Sequence, residues 1–188
     1  MTKNSKNQLE TLIRQTLSLL GEDISRPGLK ETPRRAAEAL GELTQGNKIS
    51  ISDICKNSLL SAPTQELVIL KATQFYSLCE HHLLPFFGSV DIAYLPHKNI
   101  IGLGNLGKSI DACSQKLQLQ ENLTEEIANI LQTALQPNGL MIVIKARHFC
   151  IEMRGIKKQG SLTITRSTRG TFVTDPSTRQ EVTGLLQG

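Results

Sequence analysis

Tryptophan is absent from this 188-residue chain, and all aromatics together make up only 4% of it. With 39% apolar residues over this length there is material for one compact domain with a core. Long apolar runs are missing too: nothing approaches the roughly 20 residues a membrane helix needs. The opening stretch MTKNSKNQLETLIRQTLSLLGED has no uninterrupted apolar segment and no small-residue cleavage site. It predicts no signal peptide and a cytoplasmic protein. No basic run is present either. A surplus of 21 Lys plus Arg over 17 Asp plus Glu, net +4, suits an anionic small molecule and argues against nucleic acid. The four cysteines, Cys55, Cys79, Cys113 and Cys150, stay reduced in that compartment unless they bind metal or do chemistry.

No repeat or low-complexity tract interrupts the chain. Leu9, Leu12, Ile13, Leu17 and Leu20 recur at helical spacing and predict a helix over 6–21. Thr32 followed by Pro33 predicts a second helix, with the threonine hydroxyl capping free amides. A short helix is expected around ISDICKNSLL. Then ELVILKATQFYSL and FFGSVDIAYLP read as strands, with a Cys/His cluster in their connection. Helices over 106–117 and 124–135, strands in GLMIVIKARHFCIEMRG and SLTITRSTRGTF, and a last helix near STRQEVTGLL complete the order. The expected organisation is an N-terminal helical region, 1–65, followed by an α+β unit, 66–188. That unit is an antiparallel ββααββ sheet with its helices on one face. Its open strand edges predict self-association.

The segment SLCEHHLLPFF concentrates a thiol, a carboxylate and two imidazoles. Cys79 and His82 are three apart, so both reach one ion from a single turn. In ARHFCIEMRG, His148 and Cys150 are expected on one strand, projecting to the same face because they are two apart. Cys79, His82 and Cys150 form a Cys₂His set with a fourth position left for water, the pattern of a catalytic zinc ion rather than a structural one. Water activated by such an ion attacks an electron-poor carbon. The imidazoles left over, His81 and His148, are then suited to proton transfer.

The segments GLKETPRRAAEAL, CEHHLLPFFG, LQLQENLTEEI and ARHFCIEMRG, in that order, resemble the GTP cyclohydrolase I family from about residue 20 onward. The resemblance implies the tunnelling fold (T-fold) and a toroidal homodecamer with active sites at subunit interfaces. It places Cys79, His82 and Cys150 on the Zn²⁺ ligands and His81 and His148 on the catalytic imidazoles. It further implies hydrolytic opening of guanine at C8, release of formate and reclosure to 7,8-dihydroneopterin triphosphate. Gln120 and Glu121 fall on the family's guanine contact, and a carboxylate there pairs with the guanine N1–H and exocyclic amine together. Without that context Glu121 reads as a charge favoured at a helix N-terminus.

The phosphate end departs from the pattern. In GLGNLGKSI, Gly104, Asn105 and Lys108 stand where the family carries Ser, Lys and Arg. Lysine offers no two-pronged fork to phosphate, so the clamp is weaker. The remaining cations on family positions are Arg154, Lys108 and Arg35, the last reaching across a subunit interface. Arg166 and Arg169 read as a solvated strand face. Three readings follow: GTP as substrate, a less phosphorylated guanine nucleotide or related purine, or a non-catalytic purine- or pterin-binding ring. Cys55 and Cys113 read as packing residues.

Overall fold

The computed structural model of the chain describes residues 2–56 and 58–187. Helix α1 (Lys3–Leu19) begins earlier than its apolar spacing suggests, because the Thr2 hydroxyl accepts the Ser5 amide at 3.1 Å. Helix α2 (Thr32–Leu43) has Pro33 in its first turn as expected. Thr32, however, is not its cap. The hydroxyl donates instead to the Gly28 carbonyl at 3.3 Å, and Glu31 takes the capping position without a side-chain bond. A 3₁₀ turn at Pro27–Leu29 brings that carbonyl within reach, and it competes with the helix amides for the threonine. Helix α3 (Ile51–Lys56) lies in the expected segment, of which Asn57 is outside the described residues.

The remaining elements follow in chain order: β1 (Leu59–Ser61), β2 (Val68–Cys79), β3 (Pro85–Leu95), β4 (Asn99–Ile101), α4 (Leu103–Ser114), β5 (Leu117–Gln118), α5 (Gln120–Leu135), β6 (Gly139–His148), α6 (Phe149–Glu152), β7 (Thr163–Gly170), α7 (Thr171–Thr174) and α8 (Pro176–Gln187). The main sheet runs β5-β2-β3-β6-β7, antiparallel throughout its four long strands. Two details were not expected. The two-residue β5 joins parallel to the end of β2, and β1 pairs with β4 in a separate ribbon.

Helices α4 and α5 cover one face, as expected. Leu106 and Ile110 from α4 meet Leu123, Ile127 and Leu131 from α5 over Phe75, Phe86 and Ile142 of the strands. Burying each such side chain contributes about 1.5–3 kcal/mol. Cys55 and Cys113 lie in this core, in keeping with a packing role. The opposite face is not bare: Phe172 and the α8 residues Val182 and Leu186 cover Ala93 and Met141 near one end. The one-face arrangement therefore holds for α4 and α5 but not for α8.

The strands approach one another closely at Gly88, where a Cβ would stand 1.9 Å from the Lys145 carbonyl oxygen. Strand β2 bulges between Leu70 and Thr73, with Ala72 at φ 56°. Buried Asp91 satisfies the bulge, accepting the Ala72 amide at 2.7 Å and the Lys145 ammonium at 3.1 Å. Arg169 corrects the expectation of a solvated strand face. It is on the helix side of β7, ion-paired with Glu125 and 3.3 Å from the Asn129 side-chain oxygen, while Arg166 is exposed. Among the described residues, the outer edge of β7 and the outer edge of β2 from Val68 to Ser77 have no strand neighbour. No described helix is long and apolar enough to cross a membrane.

Candidate active site

The chain closes tightly between β2 and β3, and that closure presents two of the candidate ligands. The Leu83 amide donates to the Cys79 carbonyl at 2.8 Å, and the Cys79 amide donates to the Leu84 carbonyl at 2.9 Å. Leu83 occupies the left-handed region at φ 55°, a conformation that costs a non-glycine residue about 1–2 kcal/mol. Cys79 is thereby held buried at the end of β2, and His82 is exposed one turn further on. Strand β5 secures the same corner: the Glu80 amide donates to the Gln118 carbonyl at 3.1 Å. The Gln118 amide nitrogen donates to the Cys113 carbonyl at 3.1 Å and to Glu126 at 2.7 Å, tying the corner to α4 and α5.

Cys150 arrives from the other side, and here the structure corrects the sequence reading. Strand β6 ends at His148, and Cys150 lies in the one-turn helix α6, so the two residues do not share a strand face. The reason is the loss of a partner. His148 pairs with Phe86, one residue from the start of β3 at Pro85, and proline has no amide to extend the ladder. The ligand atoms of Cys79, His82 and Cys150 nevertheless lie within 4.8 Å of one another. Tetrahedral bonds of about 2.3 Å to sulfur and about 2.1 Å to nitrogen would space them about 3.7 Å apart. Two soft thiols and one imidazole therefore fit a zinc-like ion after a small contraction. Burial pushes the Cys150 thiol up, the adjacent Cys79 sulfur adds to this, and Arg154 opposes it.

His148 is fixed on two sides. Its ring stacks on Phe86 with centroids 4.7 Å apart and planes 3° from parallel. Its Nε2 stands 2.8 Å from the side-chain oxygen of Gln120. Gln120 is 1% exposed, and its amide nitrogen faces the Ile144 and Thr163 carbonyls, both at 3.1 Å, and the Thr165 hydroxyl at 3.0 Å. Two carbonyls can only accept, so the amide orientation is determined and the oxygen must point at the histidine. His148 therefore donates from Nε2, and its other ring nitrogen is left to exchange a proton. Burial lowers the pKa of this ring, while Glu121 and Glu152 pull it back up.

Glu121 is exposed in the first turn of α5, close enough to His148 to act on its charge. His81 is exposed, its ring at right angles to His82 with centroids 6.1 Å apart. Arg154 lies near Cys150, as its effect on that thiol shows. Lys108 on α4 and Arg35 on α2 are exposed, and among the described residues no side-chain hydrogen bond or ion pair engages either. The sequence reading passed over Arg147 and Glu152, which bracket Cys150 and form a two-pronged ion pair. Opposite charges five apart around RHFCIE were the available signal.

Cys79, His82 and Cys150 could hold a metal ion, and among the described residues no further His, Cys, Asp or Glu joins the group, a donor set that suits a catalytic site better than a closed structural one. The GTP cyclohydrolase I family pattern matches residues 9–187, and the chain belongs to that family. A protein of Methylococcus capsulatus named GTP cyclohydrolase 1 is 42% identical over 178 residues, covering 95% of this chain and 96% of its own. A Leptospira biflexa protein of the same name is 42% identical over 179 residues, covering 95% and 98%. One from Deinococcus radiodurans is 39% identical over 185 residues, covering 98% and 86%.

Proposed function

We propose that this chain is a zinc-dependent GTP cyclohydrolase that opens the guanine imidazole ring of GTP at C8, releases formate and recloses the product as 7,8-dihydroneopterin triphosphate. The observation carrying this reading is the convergence of Cys79, His82 and Cys150 within 4.8 Å beside His148, in a chain of this family. Zinc held by those three residues would supply Lewis acidity and lower the pKa of water enough to make it a nucleophile near neutral pH. His148 donates to Gln120 through Nε2 and uses its other ring nitrogen to move protons at the purine being opened. His81, exposed in the same turn as His82, serves as a second proton carrier. Glu121 accepts from the guanine N1–H and exocyclic amine, a pair of donors that adenine lacks. Gln120, with both polar ends engaged inside the chain, supports the base site through its neighbours.

Arg154 and Lys108 bind phosphate, joined by Arg35 from an adjoining subunit. The unpaired edges of β2 and β7 suit a T-fold ring, a homodecamer with sites at subunit boundaries, built from a catalytic unit over 66–188 and a helical region over 1–65. A cytoplasmic location accords with the reduced thiols this chemistry needs.

One observation favours a second reading. Gly104, Asn105 and Lys108 sit in the first two turns of α4, where the resemblance to the family implies Ser, Lys and Arg, and this favours a substrate with fewer phosphates. Formate release and pteridine fluorescence from the zinc-loaded protein, with GTP, GMP and guanosine at equal concentration, decide between them. Preferential turnover of GTP is the expected result. Preference for GMP or guanosine overturns it.

A further inference from the structure

Helix α6 is four residues long, and a single helical turn does not hold its own shape in water. It nonetheless carries Cys150, whose sulfur must meet a metal to within about 0.2 Å. The sheet gives no guidance there, because the ladder between β3 and β6 ends at Phe86 and His148. What holds the turn is a clasp across it. The Arg147 Nε donates to Glu152 Oε1 at 2.8 Å, and its Nη2 donates to Oε2 at 2.5 Å. This is a fork-to-fork pair, which fixes direction as well as distance.

We infer that Arg147 and Glu152 are positioning residues for the metal, and that their ion pair holds the turn of Cys150 so that its sulfur can close on an ion shared with Cys79 and His82. The inference rests on reading those three residues as metal ligands. Glu152 is only 6% exposed, so water offers its carboxylate little alternative to the guanidinium. The Gly160 amide also faces this carboxylate, and the Lys158 amide donates to the Ile151 carbonyl at 3.1 Å, so the returning loop is fastened to the same turn. Beside the clasp, Phe149 packs edge-on against Phe87 with ring centroids 5.4 Å apart, while His148 stacks on Phe86. Every described residue from Arg147 to Phe149 is thus anchored, and Glu152 closes the far side of Cys150. Lysine in place of Arg147 would keep the charge but lose one prong and the fixed plane.

The test is zinc affinity, measured on the full-length protein by competition with a chromophoric chelator. The thiolate-to-metal absorption of the cobalt-loaded protein and the thermal unfolding of the metal-free protein provide separate readouts. The parent is compared with Arg147→Met, Glu152→Gln and Arg147→Lys. The expected result is one zinc ion per parent chain, a loss of about 10- to 100-fold in affinity in the first two variants, and a smaller loss in Arg147→Lys. The cobalt–thiolate band should weaken in the same order. If the parent binds zinc and Arg147→Met binds it equally tightly, the clasp does not position the ligand and the inference is overturned, whatever happens to unfolding. If Arg147→Met and Glu152→Gln fail to fold, Arg147→Lys decides, and parent-like affinity there overturns the inference. A parent that binds no zinc overturns the metal reading itself and this inference with it.

Discussion

The side-chain oxygen of Gln120 lies 2.8 Å from Nε2 of His148, and the rest of the Gln120 amide is pinned by carbonyls on β6 and β7. Gln120→Ala frees the ring to rotate and exchange tautomers. A general acid or base contributes about 100- to 10,000-fold, so partial loss of its orientation should lower kcat about 10- to 100-fold while KM changes little. Thr165→Val, which removes one anchor of the same amide, should act in the same direction more weakly. Steady-state kinetics with GTP check this. A rise in KM at constant kcat would instead make Gln120 a substrate contact.

Dialysis against a strong chelator should abolish formate release, and added zinc should restore it. Cys79→Ser and Cys150→Ser each remove one of three donors that converge within 4.8 Å, and neither variant should be restored by zinc at concentrations that restore the parent. Metal content by elemental analysis, read beside the formate assay, separates a lost ligand from a damaged fold.

Lys108 is exposed on the second turn of α4 with no side-chain partner among the described residues. If it holds phosphate, Lys108→Ala should raise KM for GTP about tenfold, the usual worth of one charge-assisted contact, and leave turnover of guanosine unchanged. Equal losses on GTP and guanosine would remove Lys108 from the phosphate site.

Asp91 is buried and satisfies both the bulge amide of Ala72 and the ammonium of Lys145. Asp91→Ala orphans that amide and a half-exposed charge, a cost of about 2–3 kcal/mol. Asp91→Asn should cost less, because its carbonyl still accepts from Ala72. Denaturant midpoints measured at matched m-values report both.

Burial pushes the Cys113 thiol up to about 12, and burial raises Cys55 as well. At pH 8 the thiolate fraction of Cys113 is about one in ten thousand, and only thiolate reacts. Iodoacetamide at that pH should leave Cys55 and Cys113 intact until denaturant is added, as peptide mass spectrometry would show. Labelling of Cys113 in the native protein would contradict its place in the core.

Much of this arrangement was legible in the residues. The alternation in ELVILKATQFYSL and FFGSVDIAYLP announced β2 and β3, and the apolar spacing of Leu123, Ile127 and Leu131 announced α5. The density of SLCEHHLLPFF singled out the ligand turn. Local rules failed where another group competed for the side chain. Thr32 had the chemistry of a cap but found the Gly28 carbonyl first, and Arg169 looked solvated until α5 brought Glu125 to it.

The sequence by itself determined the residue types that can ligate and move protons, the period of the elements that carry them, and membership of the family, because these depend on side-chain chemistry and short-range spacing. Only the tertiary structure decided that Cys150 sits on a helical turn rather than a strand, that Gln120 faces His148 with its oxygen, and that Arg147 clasps Glu152 across Cys150. Each of these depends on where a neighbouring strand ends or which carbonyls lie nearby. Gln120 and His148 come from distant segments, and such a contact has no signature in local spacing, whereas the opposite charges of Arg147 and Glu152 five apart signalled a possible pair without showing that it forms.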